Sequence, residues 1–375
     1  MASGGRGGVR EELGTRRLVR EAVARLEPYV PLEPAERQAA AVGLPVERVI
    51  KLDLNENPYG CSLRVQEALA AFDRFHLYPD PEGRAVRERV AAYTELPAER
   101  ILLGNGADEL IDLLYLLTID PGDEVVIAPP TFGEYKARAE LFGARVVEAP
   151  RRADFGLDME ALERAVTPRT RLITLVSPNN PTGNAASTEQ LVRLLRLGPL
   201  VVLDEAYAEF ADRTALPLAK EFDNLVVLRT FSKWAGLAGL RVGYGVFPAE
   251  LMPHLWKVKP VFNVNAAALA AVEATFEDMA YLRSTIVRIK VERGRLYRQL
   301  RKLNLLHPYP SQGNFLLCRV LRGDAPTIVA RLAELGIMVR GYGGGALADC
   351  IRITVGRPED TDTLLKALMA IAERL

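Results

Sequence analysis

Short apolar runs alternate with longer amphipathic stretches from about residue 99, and this pattern most restricts the folds open to the chain. Strands are expected at 101–103, 124–128, 145–148, 172–176, 200–203, 226–228 and 241–246. Helical periodicity fills several of the gaps, as at 107–117 and 188–197. Runs such as Leu200-Val201-Val202-Leu203 have no polar side to turn to water, so both faces of their sheet must be covered. Strands separated by helices pair through crossovers, which makes the sheet mainly parallel. The expected body is therefore α/β, a mainly parallel seven-stranded sheet sandwiched by helices. Ligands of such sheets gather at the carboxyl ends of the strands.

Beyond residue 270 the pattern changes to a smaller α+β unit. A long charged helix is expected over 280–303, then a strand at 314–318 and a helix at 326–335. Strands follow at 337–339 and 350–355, with a last helix from Asp360. At the other end, Leu18, Val19, Ala22, Val23 and Leu26 recur at helical spacing until Pro28 and Pro31 stop the helix. The expected division is an N-terminal arm (1–50, with roughly the first 14 residues disordered), a large domain (51–270) and a small C-terminal domain (271–375). A chain of 375 residues has room for this arrangement.

Lys plus Arg and Asp plus Glu number 48 each, so no bulk charge draws the chain to nucleic acid or a membrane surface. Cys61, Cys318 and Cys350 are too scattered for a disulfide framework or a metal site, and a reducing cytoplasm is the expected compartment. No apolar stretch has the length of a signal peptide core or a membrane span.

Four windows flank the expected strands. Gly104-Asn105-Gly106-Ala107-Asp108-Glu109 joins a strand to a helix; its glycines allow a sharp turn and the free amides form an anion seat. Asp108 as a simple helix cap would explain the same residues. Ser177-Pro178-Asn179-Asn180-Pro181-Thr182-Gly183 holds Asn180 in a tight turn, which is also what a plain turn looks like. Asp204 closes the apolar run Val201-Val202-Leu203, where a carboxylate is costly without a cationic partner. A structural ion pair or a magnesium ion would also serve, although no second acid at suitable spacing supports the metal. Finally, Leu228-Arg229-Thr230-Phe231-Ser232-Lys233, with Arg241 eight positions later, sets a lysine among hydroxyls and small residues. That suits an imine-forming amine with Ser232 and Arg241 gripping a phosphate, and equally an ordinary surface lysine.

Taken together, the windows supply what pyridoxal phosphate requires. Lys233 would bond its aldehyde, Asp204 would pair with the protonated pyridine nitrogen, and Tyr207 would reach the ring oxygen. Hydroxyl, amide and guanidinium groups would hold the phosphate. Phe132, in Pro129-Pro130-Thr131-Phe132, would stack on the ring face.

From about Leu18 to its end the chain resembles the class I/II aminotransferases of fold type I. The resemblance rests on the windows above and on Leu54-Asn55-Glu56-Asn57-Pro58-Tyr59-Gly60, Tyr78-Pro79-Asp80 and Ile351-Arg352-Ile353-Thr354-Val355-Gly356. These last three favour the family's histidinol-phosphate branch. The resemblance implies that Lys233 carries the cofactor, Asp204 pairs with its nitrogen, and Asn180 and Tyr207 contact its ring oxygen. The backbone of Ala107 and Asp108, with Thr230, Ser232 and Arg241, would hold its phosphate. Tyr78 would reach the cofactor of a second subunit, implying a homodimer with shared sites. Arg352 would clamp the substrate carboxylate, Tyr29 and Arg340 would face the substrate phosphate, and Asn55 would join the substrate site.

The implied reaction is a ping-pong transamination between L-glutamate/2-oxoglutarate and histidinol phosphate/imidazole acetol phosphate, a step of histidine biosynthesis. Lys233 would shuttle the proton, which requires a neutral amine, whereas a free lysine titrates at about 10.4. Aromatic amino acid transamination is the nearest alternative, followed by phosphothreonine decarboxylation on the same fold. A ligand-sensing module of a transcription regulator has little room for its DNA-binding domain ahead of Asn55. A catalytically dead homologue conflicts with the retained Lys233, Asp204 and Arg241. Phe132 and Phe262 stand where tyrosine is frequent, Gly343-Gly344-Gly345 makes the segment after Arg340 mobile, and Trp234 beside the lysine has no explanation in sequence.

Overall fold

The computed structural model describes residues 18–26 and 33–375. Twelve strands among them are β1 Ile50–Leu52, β2 Ile101–Gly104, β3 Glu124–Ile127, β4 Arg145–Glu148, β5 Thr170–Val176 and β6 Leu200–Asp204, followed by β7 Leu225–Thr230, β8 Gly243–Val246, β9 Leu306–Pro308, β10 Phe315–Val320, β11 Ile337–Gly341 and β12 Cys350–Thr354. Seven form the large sheet in the order β2-β8-β7-β6-β5-β3-β4. Its pairings are parallel except those of β8, which runs against both β2 and β7.

Both faces of this sheet are covered, as its apolar strands require. Along β6, Val201 and Leu203 enter one buried cluster while Val202 enters the other; β7 splits the same way, with Val227 opposite Val226 and Leu228. Period-two alternation thus feeds two cores from one strand. Helix Gly106–Thr118 packs on one side through Leu110, Leu113 and Leu114. Helix Thr188–Leu195, closed by a Ser187/Gln190 capping box, covers the other.

The strand expected over 241–246 begins only at Gly243, because Arg241 has φ 53° and cannot continue an extended run. This correction matters for the site. Since β8 is antiparallel, its entry rather than its exit lies beside the ends of its neighbours, with Gly243 opposite Thr230 and Gly104.

The small sheet has the order β1-β11-β12-β10-β9. Strand β1 pairs in parallel with β11, so residues 50–52 belong to the C-terminal sheet although they precede the whole large one. A division at 50/51 therefore cuts through β1. The division at 270/271 falls within helix Ala266–Glu277, whose buried side chains share the core of the large sheet. The long helix Met279–Lys302 follows directly. In the N-terminal arm the helical spacing from Leu18 to Leu26 forms the short helix Glu21–Arg25, with Arg20 donating to the Leu141 carbonyl at 3.2 Å, and a second helix spans Ala35–Ala41. The expected disordered lead-in, Pro28 and Pro31 lie outside the described residues.

Candidate active site

Strands β2, β3, β5, β6 and β7 all end toward one edge of the large sheet, and β8 enters there. Their loops meet the end of the small sheet around a cavity of about 580 Å³. Asn55, Ala107, Asp108, Phe132, Asn180, Asp204, Tyr207, Thr230, Ser232, Lys233, Arg241, Arg340 and Arg352 all line it. One expected residue among the described ones is not there. Tyr78 projects from the surface, 81% exposed, and stacks on Phe262 with ring centroids 4.4 Å apart. Tyr29 lies outside the described residues.

Lys233 follows β7 by three positions, where the chain turns in beneath the cavity. Its Nζ donates to the Leu54 carbonyl at 2.9 Å. Burial and the nearby Arg352 guanidinium lower its pKa to about 8. This positions a lysine that loses its proton far more readily than one in water. Directly behind it, Trp234 is fully buried, parallel to Tyr93 at 5.6 Å and tilted against Phe231 and Phe276. Its carbonyl accepts from Asn57 Nδ2 at 3.0 Å. The unexplained tryptophan is thus an aromatic wedge that fixes the backbone next to the reactive amine.

Asp204 ends β6 at 5% exposure. Its Oδ1 accepts from the Ala206 amide at 2.9 Å and its Oδ2 from the Tyr135 hydroxyl at 3.0 Å. Burial outweighs these bonds and raises the carboxyl pKa to about 6. The structural ion pair considered for Asp204 is taken by its neighbour: Glu205, just past the end of β6, pairs with Arg229 at 2.7 Å, and Glu209 pairs with the same arginine at 2.7 Å. Asp204 has no cationic partner among the described residues.

The anion seat also takes shape. Gly106 has φ 77°, and a Cβ there would lie 2.6 Å from Arg241 Nη2; one on Gly243 would lie 2.8 Å from the Ala107 nitrogen. Only glycines let Arg241 and the start of helix Gly106–Thr118 approach so closely. Thr230 Oγ1 and Ser232 Oγ are 2.9 Å apart on the same wall, and Arg241 Nη2 donates to Asp108 Oδ2 at 2.8 Å. Opposite, the Tyr207 hydroxyl accepts from Asn55 Nδ2 at 3.1 Å. Phe132 lies on the cavity wall, edge-on to Tyr135 at 6.3 Å.

The small sheet contributes Arg340 and Arg352, paired across β11 and β12. Arg352 Nη1 donates to Asn180 Oδ1 at 2.6 Å and Nη2 to the Asp53 carbonyl, while Nε is buried without a partner among the described residues. Segment Asp53-Leu54-Asn55 thereby accepts from both Arg352 and Lys233. Sequence reasoning missed its two carbonyls, and it missed Tyr135 and Tyr342. Carbonyls carry no residue signature. Tyr135 lies in the first turn of helix Glu134–Leu141, where a tyrosine has no mark that separates it from ordinary packing.

These residues fit pyridoxal phosphate. A buried carboxylate without a cation, a glycine-walled cup of amides, hydroxyls and a guanidinium, and an amine of lowered pKa match the cofactor's nitrogen, phosphate and aldehyde in turn.

Comparison with known proteins agrees. The family model described as aminotransferase class I and II matches residues 47–368. A histidinol-phosphate aminotransferase of Roseiflexus castenholzii is 47% identical over 364 residues, covering 95% of this chain and 98% of that protein. The chloroplastic enzyme of that name from Nicotiana plumbaginifolia is 44% identical, covering 93% of this chain and 86% of that one. The crystal structure of histidinol-phosphate aminotransferase from Sinorhizobium meliloti in complex with pyridoxal-5'-phosphate superposes with a TM-score of 0.86 at 29% identity, covering 95% of this chain and 98% of that one.

Proposed function

The chain belongs to the class I and II aminotransferases, and from that premise we propose that it transfers an amino group between L-glutamate and the keto partner of histidinol phosphate. It is a pyridoxal-phosphate-dependent transaminase of histidine biosynthesis. The observation that carries the substrate is the pair Arg340 and Arg352, in register across two strands and open to the cavity that holds Lys233. An aromatic amino acid brings one anion to these two cations. Glutamate brings two, and histidinol phosphate brings a doubly charged phosphate. The aromatic alternative is not favoured, since relatives 42–47% identical over most of the chain carry the histidinol-phosphate name.

Bound pyridoxal phosphate supplies an electron sink that stabilises negative charge at the substrate Cα. Asp204 would pair with its ring nitrogen and keep that nitrogen protonated. Tyr207 and Asn180 would hold its ring oxygen, Phe132 its ring face, and the cup of Ala107, Asp108, Thr230, Ser232 and Arg241 its phosphate. Lys233 Nζ would anchor its aldehyde and, as a free amine, would take and return the substrate Cα proton. A pKa of about 8 leaves an appreciable neutral fraction at pH 7. Arg352, held by Asn180 and Asp53, orients the substrate through a bidentate contact, with Asn55 beside it.

Tyr78 is too exposed to serve its own site, which supports a homodimer in which it completes the neighbour's. Mixing inactive Tyr78→Ala and Lys233→Ala proteins then regenerates activity through hybrid dimers; a mixture that stays inactive sinks the shared site. No helix of the described residues is long and apolar enough to cross a membrane. The three free cysteines accord with a cytoplasmic location.

The test of substrate is single-turnover bleaching of the cofactor absorbance with histidinol phosphate, phenylalanine and glutamate. Histidinol phosphate and glutamate react fast and phenylalanine slowly. Phenylalanine outpacing histidinol phosphate would overturn the assignment.

A further inference from the structure

At the small-sheet end of the cavity the Tyr342 hydroxyl and the Arg352 guanidinium lie against each other, and the hydroxyl and Arg352 Nε are buried with no other hydrogen-bond partner among the described residues. Buried polar groups are ordinarily hydrogen-bonded, so this pair, facing an open cavity, offers donors to a polar ligand. The Tyr342 ring is not free to swing away. It packs on the cluster of Phe155, Leu317, Leu347 and Cys350. Tyr342 stands two positions beyond Arg340, immediately after β11, and Arg340 faces Arg352 across the strand pair. The buried hydroxyl lies in the cavity wall within reach of the charges of both guanidiniums. Burial pushes its pKa up against the opposing pull of Arg352 and then Arg340. It is a neutral O–H near neutral pH, and hence a donor.

The two amino substrates differ in what they present at this end. A carboxylate joined directly to Cα has two oxygens, and a bidentate guanidinium occupies both. A phosphomonoester places a methylene and an ester oxygen between Cα and phosphorus, so it reaches farther toward the rim. It also carries three terminal oxygens, one more than a single guanidinium fork satisfies.

Resting on the substrate reading above, we propose that Tyr342 is a specificity-determining residue. Its hydroxyl donates to the terminal phosphate of the phosphorylated substrate, beside Arg340 and Arg352, and lets the site accept phosphate as well as carboxylate.

The test is Tyr342→Phe holoenzyme, which keeps the packed ring and removes only the hydroxyl. Losing a hydrogen bond to a charged group raises KM for histidinol phosphate by about tenfold or more, with a much smaller change in kcat. The inhibition constant of inorganic phosphate against glutamate rises in parallel, while the dissociation constant of glutamate in the single-turnover reaction shifts far less. Equal shifts for phosphate and carboxylate ligands, or none for either, would overturn the role of Tyr342. Wild-type protein that transaminates glutamate but never histidinol phosphate would instead overturn the substrate reading, and this proposal with it.

Discussion

The two walls of the cavity are built on opposite principles. On the large-sheet wall the polar groups have partners within the chain: Asp204 with Tyr135 and the Ala206 amide, Thr230 with Ser232, Arg241 with Asp108. These groups sit at strand ends above two filled cores and are fixed before anything binds. On the small-sheet wall, Arg352 and Tyr342 keep buried polar atoms without a further partner among the described residues. Around Gly343, Gly344 and Gly345 nothing lies within 4 Å of where a side chain would start. A preorganised wall suits a resident cofactor. A wall with unmet donors suits ligands that come and go, since each arrival pays back the desolvation already suffered.

If the division holds, the largest effects lie on the fixed wall. Lys233→Ala lowers turnover by roughly 10⁴-fold, read as amino transfer from glutamate in a single turnover; a loss below tenfold breaks the assignment. In the wild-type apoprotein, the rate of reconstitution with pyridoxal phosphate climbs as pH rises through about 8, where Nζ loses its proton. A midpoint above 10 shows that the site does not lower its proton affinity.

Asp204→Asn comes next, with kcat down by roughly 10²-fold or more. The same substitution has an opposite sign in the apoprotein. A carboxyl whose pKa is raised from 3.8 to about 6 contributes stability below pH 4, and that contribution is lost as pH rises through 6. The shift corresponds to about 3 kcal/mol. The Asn apoprotein should therefore gain on wild type in denaturant melts between pH 4 and 7. Parallel curves across that range would show that Asp204 is not desolvated.

On the small-sheet wall, Arg352→Lys keeps the charge but loses the fork. KM for glutamate rises by about tenfold to a hundredfold with cofactor affinity unchanged. Loss of cofactor would merge the two walls into one. The smallest expected effect is that of Tyr135→Phe, about 1 kcal/mol or roughly fivefold in kcat. It should appear with a further rise in the Asp204 pKa, followed by infrared titration of the carboxyl.

Much of this was legible beforehand. The apolar runs placed the seven large-sheet strands to within about two residues, because a strand buried on both faces cannot hide its composition. Asp204, Asn180 and Lys233 stood out because each interrupts or ends such a run with a polar group. Arg241 was legible as a residue but misplaced in a strand, since a positive φ leaves no mark on a non-glycine. Tyr135 and Tyr342 were silent because a tyrosine within a helix or after a strand is ordinarily packing. Trp234 was conspicuous and unexplained until its stacking partners, from segments far apart in sequence, were seen around it.

The sequence by itself determined the covered sheet and the cofactor chemistry, because burial and reactivity are written in residue type. Only tertiary structure decided that β1 crosses to the far sheet, that Glu205 rather than Asp204 takes the arginine, and that Tyr342 and Arg352 meet in the cavity wall. Those facts depend on which surfaces face each other across the fold, and no local pattern encodes a neighbour some 300 residues away, as Arg352 is from Asp53.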